Sequence, residues 1–212
     1  KRMERDFLLD DAKLAKLVAR KAAIMNQNKM AKSAVILPLV KSSEGYQVLF
    51  EKRSMDLRHQ PGEICFPGGG IEDNDAGPME AAIRETCEEL GLVTTDIEMI
   101  CPLDIVVSPF NAIIYPFAAY ILDADRININ SEVEEIIPIP LDYLLHKPPQ
   151  IHQLLVSIQT TEDFPFHLIP QGHNYPFRKI NYPQIFYQYE GTVVWGLTAQ
   201  ILTHFLHLLR IG

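Results

Sequence analysis

The chain is poor in cysteine, and its three cysteines show no pairing pattern. Cys65, Cys87 and Cys101 are odd in number, and none of them belongs to a CxxC pair. This spacing indicates neither a disulfide framework nor a cysteine-based zinc site. Because unpaired cysteines are typical of reducing compartments, the composition predicts a cytoplasmic protein.

Long hydrophobic runs and an excess of positive charge are also missing. The longest apolar stretches, such as residues 34–40, are far shorter than the roughly 20 residues that cross a bilayer, so no membrane partner is expected. The formal net charge of -8 argues against sequence-independent binding of nucleic acid, which depends on clustered Lys and Arg. An anionic substrate would therefore need locally placed basic residues or metal ions.

Several familiar catalytic patterns are absent from the sequence. It contains no internal repeat, Walker loop, HExxH element or GxSxG element. Its 212 residues and 47% hydrophobic content are those of an ordinary globular protein with one sizeable core. We therefore expect a single domain over residues 1–212. A homodimer is compatible with this composition, which leaves the oligomeric state open.

The most informative stretch is the segment from Phe66 to Leu92, FPGGGIEDNDAGPMEAAIRETCEELGL. Its three consecutive glycines predict a turn in which the backbone can approach a ligand closely. The residues that follow the acidic loop predict a helix that begins near Pro78 and ends at Gly91.

Three glutamates share one face of this predicted helix. Residues three and four apart lie on the same side, so Glu85, Glu88 and Glu89 form one carboxylate cluster. The stripe expected to pack on a core consists of Met79, Ala82, Ile83, Thr86 and Leu90. Like charges at this spacing repel one another, and a hard cation such as Mg²⁺ would remove the repulsion. Taken alone, three acids at this spacing on a helix are more typical of a solvated surface than of a metal site.

Two arginines stand close to the glycine turn in the sequence. Arg53 and Arg58 lie in a polar, turn-rich segment that covers residues 53–63. They are either solvent-facing loop arginines or ligands for phosphate, which a guanidinium group can bind through two hydrogen bonds. Their position ahead of the acidic helix favours phosphate binding.

The remaining sequence predicts a mixture of helices and short strands. An amphipathic helix is expected at about residues 10–27, followed by a hairpin of residues 33–40 and 46–52. Further strands are expected at residues 64–66, 97–101, 104–107, 115–121 and 151–158, and further helices at residues 141–145 and 195–210. The acids Glu132, Glu134 and Glu135 are either a solvated strand edge or the source of one metal ligand or base, for which Glu135 is the candidate.

The segment from Phe66 to Leu92 resembles the Nudix box, the signature of the Nudix hydrolase superfamily. The second half of that signature reads Arg-Glu-apolar-any-Glu-Glu-any-Gly-apolar, and residues 84–92 match it with Thr86 at the apolar place. In the first half, Asp75 takes the place of the usual Glu and stands one residue out of step with Arg84. The box accordingly covers about residues 69–92.

The segment ahead of the box is similar to that of the coenzyme A pyrophosphatase-like branch of the superfamily. That branch carries Arg-Ser, Leu-Arg, a Gly and Phe-Pro-Gly-Gly before the box. The matching residues are Arg53-Ser54, Leu57-Arg58, Gly62 and Phe66-Pro67-Gly68-Gly69. Residues 194–199, VWGLTA, are also similar to that branch.

The resemblance implies an α/β fold, the Nudix α/β/α sandwich, with a mixed central sheet and a loop-helix-loop catalytic motif. It implies an enzyme that hydrolyses the pyrophosphate of coenzyme A or acyl-CoA to 3',5'-ADP and phosphopantetheine or its acyl form, with Mg²⁺ or Mn²⁺ as cofactor. The rival substrate is ADP-ribose or another nucleotide sugar. A rival of another class is a non-catalytic nucleotide-binding module, although such a module is expected to lack some of the box glutamates.

The resemblance also assigns roles to residues of this chain. Glu85, Glu88 and Glu89 would hold the metal, and the backbone carbonyl near Gly69 would add a ligand. Arg84 would hold a box carboxylate in place, and the base would be a box glutamate or Glu135. The candidates for substrate binding are Arg53, Arg58, Gly68 and Gly69.

Overall fold

The computed structural model describes residues 14, 17, 18 and 20–211, and it divides the chain into two compact units, Lys1–Met30 and Ala31–Gly212. In the first unit, residues 14, 17 and 18 are helical and a 3-10 turn covers Gln27–Lys29. The helix expected at residues 10–27 lies largely outside the described residues, and its predicted end is wrong, because residues 20–26 are not helical. Asn26 has a left-handed φ of 61°, which an α-helix cannot continue.

The second unit contains eleven strands and three α-helices in its described residues. The strands are β1 Ala31–Ser42, β2 Gly45–Arg53, β3 Ile64–Cys65, β4 Gly68–Gly70, β5 Ile97–Pro102, β6 Val106–Ser108, β7 Ala112–Ile121, β8 Val133–Pro140, β9 Gln150–Ser157, β10 Lys179–Tyr189 and β11 Thr192–Trp195. The helices are α1 Pro78–Leu90, α2 Leu141–His146 and α3 Gly196–Ile211.

Eight of these strands form one mixed sheet. Its main path is β3-β2-β1-β7-β5, and β4, β6 and β8 pair with β1, β7 and β2 respectively. The predicted hairpin is confirmed as β1 and β2, which pair antiparallel from Leu39 opposite Val48 to Ser42 opposite Gly45. The pairing of β1 with β7 is parallel, which makes the sheet mixed.

A helix covers each face of this sheet. On one face, Ala34 and Ile36 of β1 pack in the same buried cluster as Ala82 of α1. On the other face, Leu37 and Leu202 share a second cluster that includes much of α3. Because both faces of β1 are covered, its sequence is a nearly continuous apolar run rather than an alternating one. The predicted α/β/α sandwich is confirmed.

A second sheet has the strand order β11-β10-β9. Only β9 was expected from the sequence. Pro183 lies inside β10, although proline argues against an interior strand. The register resolves the conflict: Pro183 pairs with Gln153 of β9, whereas β11 covers only Phe186 to Tyr189 of β10. At Pro183 the strand therefore has a neighbour on one side only, and a missing N–H can be tolerated there.

No α-helix within the described ranges combines the length and the apolar character needed to span a bilayer.

The three consecutive glycines form strand β4 and not the predicted turn. Gly68, Gly69 and Gly70 pair antiparallel with Val35, Ala34 and Ser33 of β1. Gly68 has a φ of +144°, and a Cβ atom added to it would lie 2.3 Å from the carbonyl oxygen of Ala34. A glycine is therefore required at this position by both conformation and space.

Replacing Gly68 by alanine should destabilise the fold, because the added methyl group has to displace the backbone of β1. We expect Gly68→Ala to lower the free energy of unfolding by about 1–3 kcal/mol, as measured by urea denaturation. The matched control is Gly70→Ala, where an added Cβ atom meets nothing within 4 Å. Equal stability of the two variants would contradict the close approach of β4 to β1.

Candidate active site

Helix α1 has the boundaries that the sequence predicts. It covers Pro78–Leu90, and Gly91 ends it with a left-handed φ of 63° while its N–H donates to the carbonyl of Cys87. The buried residues of α1 are Ala81, Ala82, Thr86, Glu89 and Leu90. The predicted packing stripe is therefore wrong for Met79, which is exposed, because the buried face is rotated towards Ala81 and Glu89.

The three box glutamates of α1 differ strongly in exposure. Glu89 is buried, and its Oε2 accepts a 2.8 Å hydrogen bond from the backbone N–H of Gly68. Glu85 lies directly against β4, since a Cβ atom added to Gly69 would come within 2.4 Å of its carboxyl carbon. The side chain of Glu88 is 58% exposed and lies at the rim. The site is thus an inner pair of carboxylates at β4 with a third at its edge.

Arg84 holds this arrangement through a dense set of hydrogen bonds. Its Nε and Nη2 atoms each donate to the carboxylate of Asp75 at 3.0 Å, and Nη1 donates to Oε1 of Glu85 at 2.8 Å. Nη2 also donates to the carbonyl of Gly70 at 3.1 Å. The guanidinium group thereby lowers the pKa of Asp75, and that carboxylate in turn raises the pKa of Arg84. Asp75, the irregular acid of the box, anchors the arginine that positions Glu85.

Glu51 is a site residue that sequence reasoning missed. Leu49 of β2 packs on the α1 side of the sheet, and strand alternation places Glu51 on that same side. The Glu51 side chain is 1% exposed, and its Oε1 accepts a 3.2 Å hydrogen bond from the thiol of Cys65. Its Oε2 has no hydrogen-bond partner among the described residues. The sequence signal that could have revealed Glu51 is a charged residue directly after the apolar run of β2, at a position that faces the core.

The pKa values of the two buried carboxyls, Glu51 and Glu89, are both raised. Burial raises the pKa of Glu51 to about 7, against the opposing effects of the Cys65 hydrogen bond and the charge of Arg53. Burial, followed by the charge of Glu51, raises the pKa of Glu89 to about 9. Burial also raises the pKa of the Cys65 thiol. In the absence of a cation, ionisation of both carboxyls is therefore unfavourable.

The donor set of this site fits a hard divalent cation. Mg²⁺ and similar ions take carboxylate oxygens and retain positions for water and substrate phosphate. The unpartnered Oε2 of buried Glu51 and the neighbouring carboxylates of Glu85 and Glu89 are such donors. Within the part of the chain that the structure describes, no three His, Cys, Asp or Glu side chains are grouped closely enough to hold a metal ion as they stand. The residues present suit an open site that a substrate completes.

The two candidate phosphate-binding arginines have different surroundings. Arg53 lines a cavity of about 340 Å³ together with Cys65 and Gly68, and its charge lowers the pKa of both Glu51 and Glu89. Its Nε donates to the carbonyl of His59 at 3.4 Å. Arg58 is exposed, and in the described structure it does not line this cavity.

Glu135 lies on the opposite face of the sheet from the box. It pairs directly with Lys52 across β8 and β2. Ile137 and Ile139, which share its side of β8, pack with the cluster that contains α3. The expectation that Glu135 joins the box carboxylates conflicts with this strand alternation, whereas Gly68 and Gly69 do lie against them.

The metal-free protein should lose stability as pH rises. The pKa values of Glu51 and Glu89 are about 7 and about 9, above the ordinary value of 4.5. Between pH 4.5 and these values, the folded state keeps protons that the unfolded state has released. We expect the free energy of unfolding, measured with a chelator present, to fall from about pH 5 to about pH 9. The slope is about 1.4 kcal/mol per pH unit for each carboxyl that titrates.

The same measurement on two variants tests the assignment to the buried pair. Glu51→Gln should roughly halve the slope between about pH 5 and pH 7, because the amide does not titrate while Glu89 still does. Glu80→Gln changes an exposed acid of α1 and should keep the original slope. A stability that is constant or rising over this range would show that the two carboxyls are not buried together.

Comparison with known proteins agrees with this geometry. The family described as the NUDIX domain matches residues 30–153. The peroxisomal coenzyme A diphosphatase of Mus musculus is 33% identical over 168 residues, which cover 77% of this chain and 69% of that protein. The mitochondrial coenzyme A diphosphatase of Homo sapiens is 33% identical over 187 residues, with coverage of 86% and 71%.

A solved structure supports the fold independently of close sequence similarity. The MutT/nudix family protein from Enterococcus faecalis superposes with a TM-score of 0.51 at 13% sequence identity. The superposition covers 96% of this chain and 76% of that one. Together with the family match over residues 30–153, these similarities show that the chain belongs to the Nudix family and is a pyrophosphohydrolase.

Proposed function

We propose that this Nudix hydrolase cleaves the diphosphate of coenzyme A or acyl-CoA to 3',5'-ADP and phosphopantetheine or its acyl form, with Mg²⁺ or Mn²⁺ as cofactor. The observation that carries the proposal is the buried Glu51 and Glu89 pair, which accepts hydrogen bonds from Cys65 and Gly68, two residues that line a cavity together with Arg53. The two relatives that are named coenzyme A diphosphatases support the choice of substrate.

Carboxylates of the box and of β2 are the proposed cation ligands. Glu85, Glu89 and Glu51 would hold the ion, with Glu88 at the rim and the carbonyl of Gly69 as a further donor. Nudix hydrolases generally use divalent metal ions, and a bound Mg²⁺ or Mn²⁺ would neutralise the diphosphate and acidify a water molecule. The hydrogen bond from Gly68 to Glu89 keeps one carboxylate oxygen oriented while its other oxygen remains available.

The three arginines near the site have different proposed roles. Arg84 is fully engaged with Asp75, Glu85 and Gly70, so we assign it to holding Glu85 and not to the substrate. Arg53 lines the cavity and is the proposed ligand for substrate phosphate, since a guanidinium group matches phosphate oxygens in charge and geometry. Arg58 is the second candidate, from the exposed loop.

The reaction itself is the addition of water to one phosphorus of the diphosphate. The water oxygen forms a new bond to that phosphorus, the bond from the phosphorus to the bridging oxygen breaks, and the bridging oxygen leaves on the other phosphate. A box glutamate accepts the proton of the water. We leave Glu135 out of this role because of its position on the other face of the sheet.

The proposed cellular setting is cytoplasmic. Cys65, Cys87 and Cys101 are all free, as is typical of a reducing compartment. The names of the two relatives place them in peroxisomes and mitochondria, so the compartment of this chain stays a prediction. A small nucleotide is the proposed partner, and the homodimer also stays a prediction.

A substrate panel tests the proposed activity. The protein is incubated with Mg²⁺ or Mn²⁺ and with coenzyme A, acyl-CoA, ADP-ribose or a dinucleotide, and the products are identified by mass. We expect 3',5'-ADP and phosphopantetheine from coenzyme A, at a higher kcat/KM than for the other compounds. Preferential cleavage of ADP-ribose would contradict the substrate, and no turnover of any compound would contradict catalysis by this chain.

The variant Glu89→Gln should abolish most of this turnover while the fold is retained. Its amide can still accept the hydrogen bond from Gly68 but cannot contribute negative charge to a cation. We expect kcat to fall on the order of 100-fold. Glu80→Gln, a change of an exposed acid on the same helix, is the matched control and should keep full activity. Wild-type turnover by Glu89→Gln would remove this residue from the proposed metal site.

A further inference from the structure

The cavity beside β4 is lined largely by residues outside the Nudix box. Its volume is about 340 Å³, and besides β4 it is bounded by β10 and by the start of α3. Its apolar lining includes Val35, Phe66, Phe110, Ile114, Tyr182 and Trp195. All four of these aromatic residues lie outside residues 69–92, the Nudix box. The cavity can therefore accommodate a flat, apolar group that is attached to the diphosphate.

Gln184 contributes a buried amide to this cavity. The residue lies on β10, lines the cavity, and is 7% exposed. Its Oε1 atom is buried and has no hydrogen-bond partner within the described residues. A buried acceptor without a partner is unfavourable, and most such atoms in folded proteins are paired. The amide is thus placed to pair with a donor that enters the cavity.

The aromatic wall next to Gln184 is held in a fixed orientation. Tyr182 stands two positions before Gln184 on β10, so the two side chains lie on the same face of the strand. The Tyr182 hydroxyl accepts a 2.9 Å hydrogen bond from Nε2 of Gln200 on α3. Phe110 packs edge-on against the Tyr182 ring, with 6.1 Å between the ring centroids. A planar ligand would find these two rings beside the amide.

We propose that this cavity binds the adenine base of the substrate and that Gln184 reads its edge. The inference rests on the proposed function, which supplies an adenine nucleotide. The adenine amino group would donate to Oε1 of Gln184 and a neighbouring ring nitrogen would accept from Nε2, a pairing that suits a carboxamide. Tyr182 and Phe110 contact the ring, as aromatic side chains commonly do with bases.

The position of the cavity connects the base to the reacting diphosphate. Gly68 and Cys65 line the cavity, and the same two residues donate hydrogen bonds to Glu89 and Glu51. Arg53 also lines the cavity, whereas neither of these two carboxylates does, so a nucleotide whose base lies against Gln184 would have to extend its phosphates past Arg53 and Gly68 to reach the carboxylates. The flexible pantetheine arm is the alternative occupant. The flat aromatic walls and the single buried amide favour the base.

The single tryptophan of the chain provides a direct readout, because Trp195 lines this cavity. Its fluorescence is titrated with AMP, with purine riboside 5'-monophosphate, which lacks the amino group, and with phosphopantetheine, all without divalent metal. We expect saturable binding of AMP, and binding of the purine nucleotide that is weaker by about tenfold or more. This comparison uses the wild-type protein and does not depend on the folding of any variant.

Two variants assign the preference to Gln184. Gln184→Leu should bind AMP and the purine nucleotide equally well, because it cannot pair with the amino group. Gln188→Leu removes an exposed glutamine of the same strand and should keep the wild-type preference. A preference for AMP that survives in Gln184→Leu, or a fluorescence response to phosphopantetheine and not to AMP, would overturn the proposal.

The substrate panel separates this inference from the proposed function. Cleavage of coenzyme A combined with equal binding of the two nucleotides by the wild-type protein would overturn the adenine site alone. Binding of AMP through Gln184 without cleavage of coenzyme A would support the adenine site and overturn only the substrate assignment.

Discussion

The hydrogen bond from the Gly68 N–H to the buried carboxylate of Glu89 is the contact on which the site depends. It requires β4 to run close against β1, which only glycine permits at position 68. It also requires α1 to present an acid on its buried face, next to Glu51 of β2. The sheet and the helix thereby bring together two carboxyls that repel each other when ionised. A divalent cation is the ligand that would relieve this repulsion.

Around this pair, the irregular first half of the box has a structural explanation. Asp75 is one residue out of step with the family signature, yet its carboxylate receives two hydrogen bonds from Arg84. The arginine in turn fixes Glu85 and the carbonyl of Gly70. The loop between β4 and α1 can therefore vary in length as long as its acid reaches the guanidinium group. The positions of the glutamates depend on that contact and not on the exact spacing.

Much of the fold could be predicted from the sequence, whereas part of the site could not. Helix α1, its end at Gly91 and the hairpin of β1 and β2 follow from local patterns. Glu51 escaped notice because its burial depends on pairing with β3 and β8 and on the approach of α1, which are contacts between distant segments. Glu135 was predicted as a possible base because the sequence of one strand does not show on which face of the sheet each side chain lies. The single-domain expectation for residues 1–212 also remains a prediction.

The central claim is that the buried carboxyls hold a divalent cation, and direct measurement of Mn²⁺ binding tests it. Electron paramagnetic resonance of free Mn²⁺ gives the dissociation constant for the wild-type protein and for Glu51→Gln, Glu89→Gln and Glu80→Gln. The account predicts that the two buried variants bind at least about tenfold more weakly, while Glu80→Gln equals the wild type. Unchanged binding in both Glu51→Gln and Glu89→Gln would contradict it.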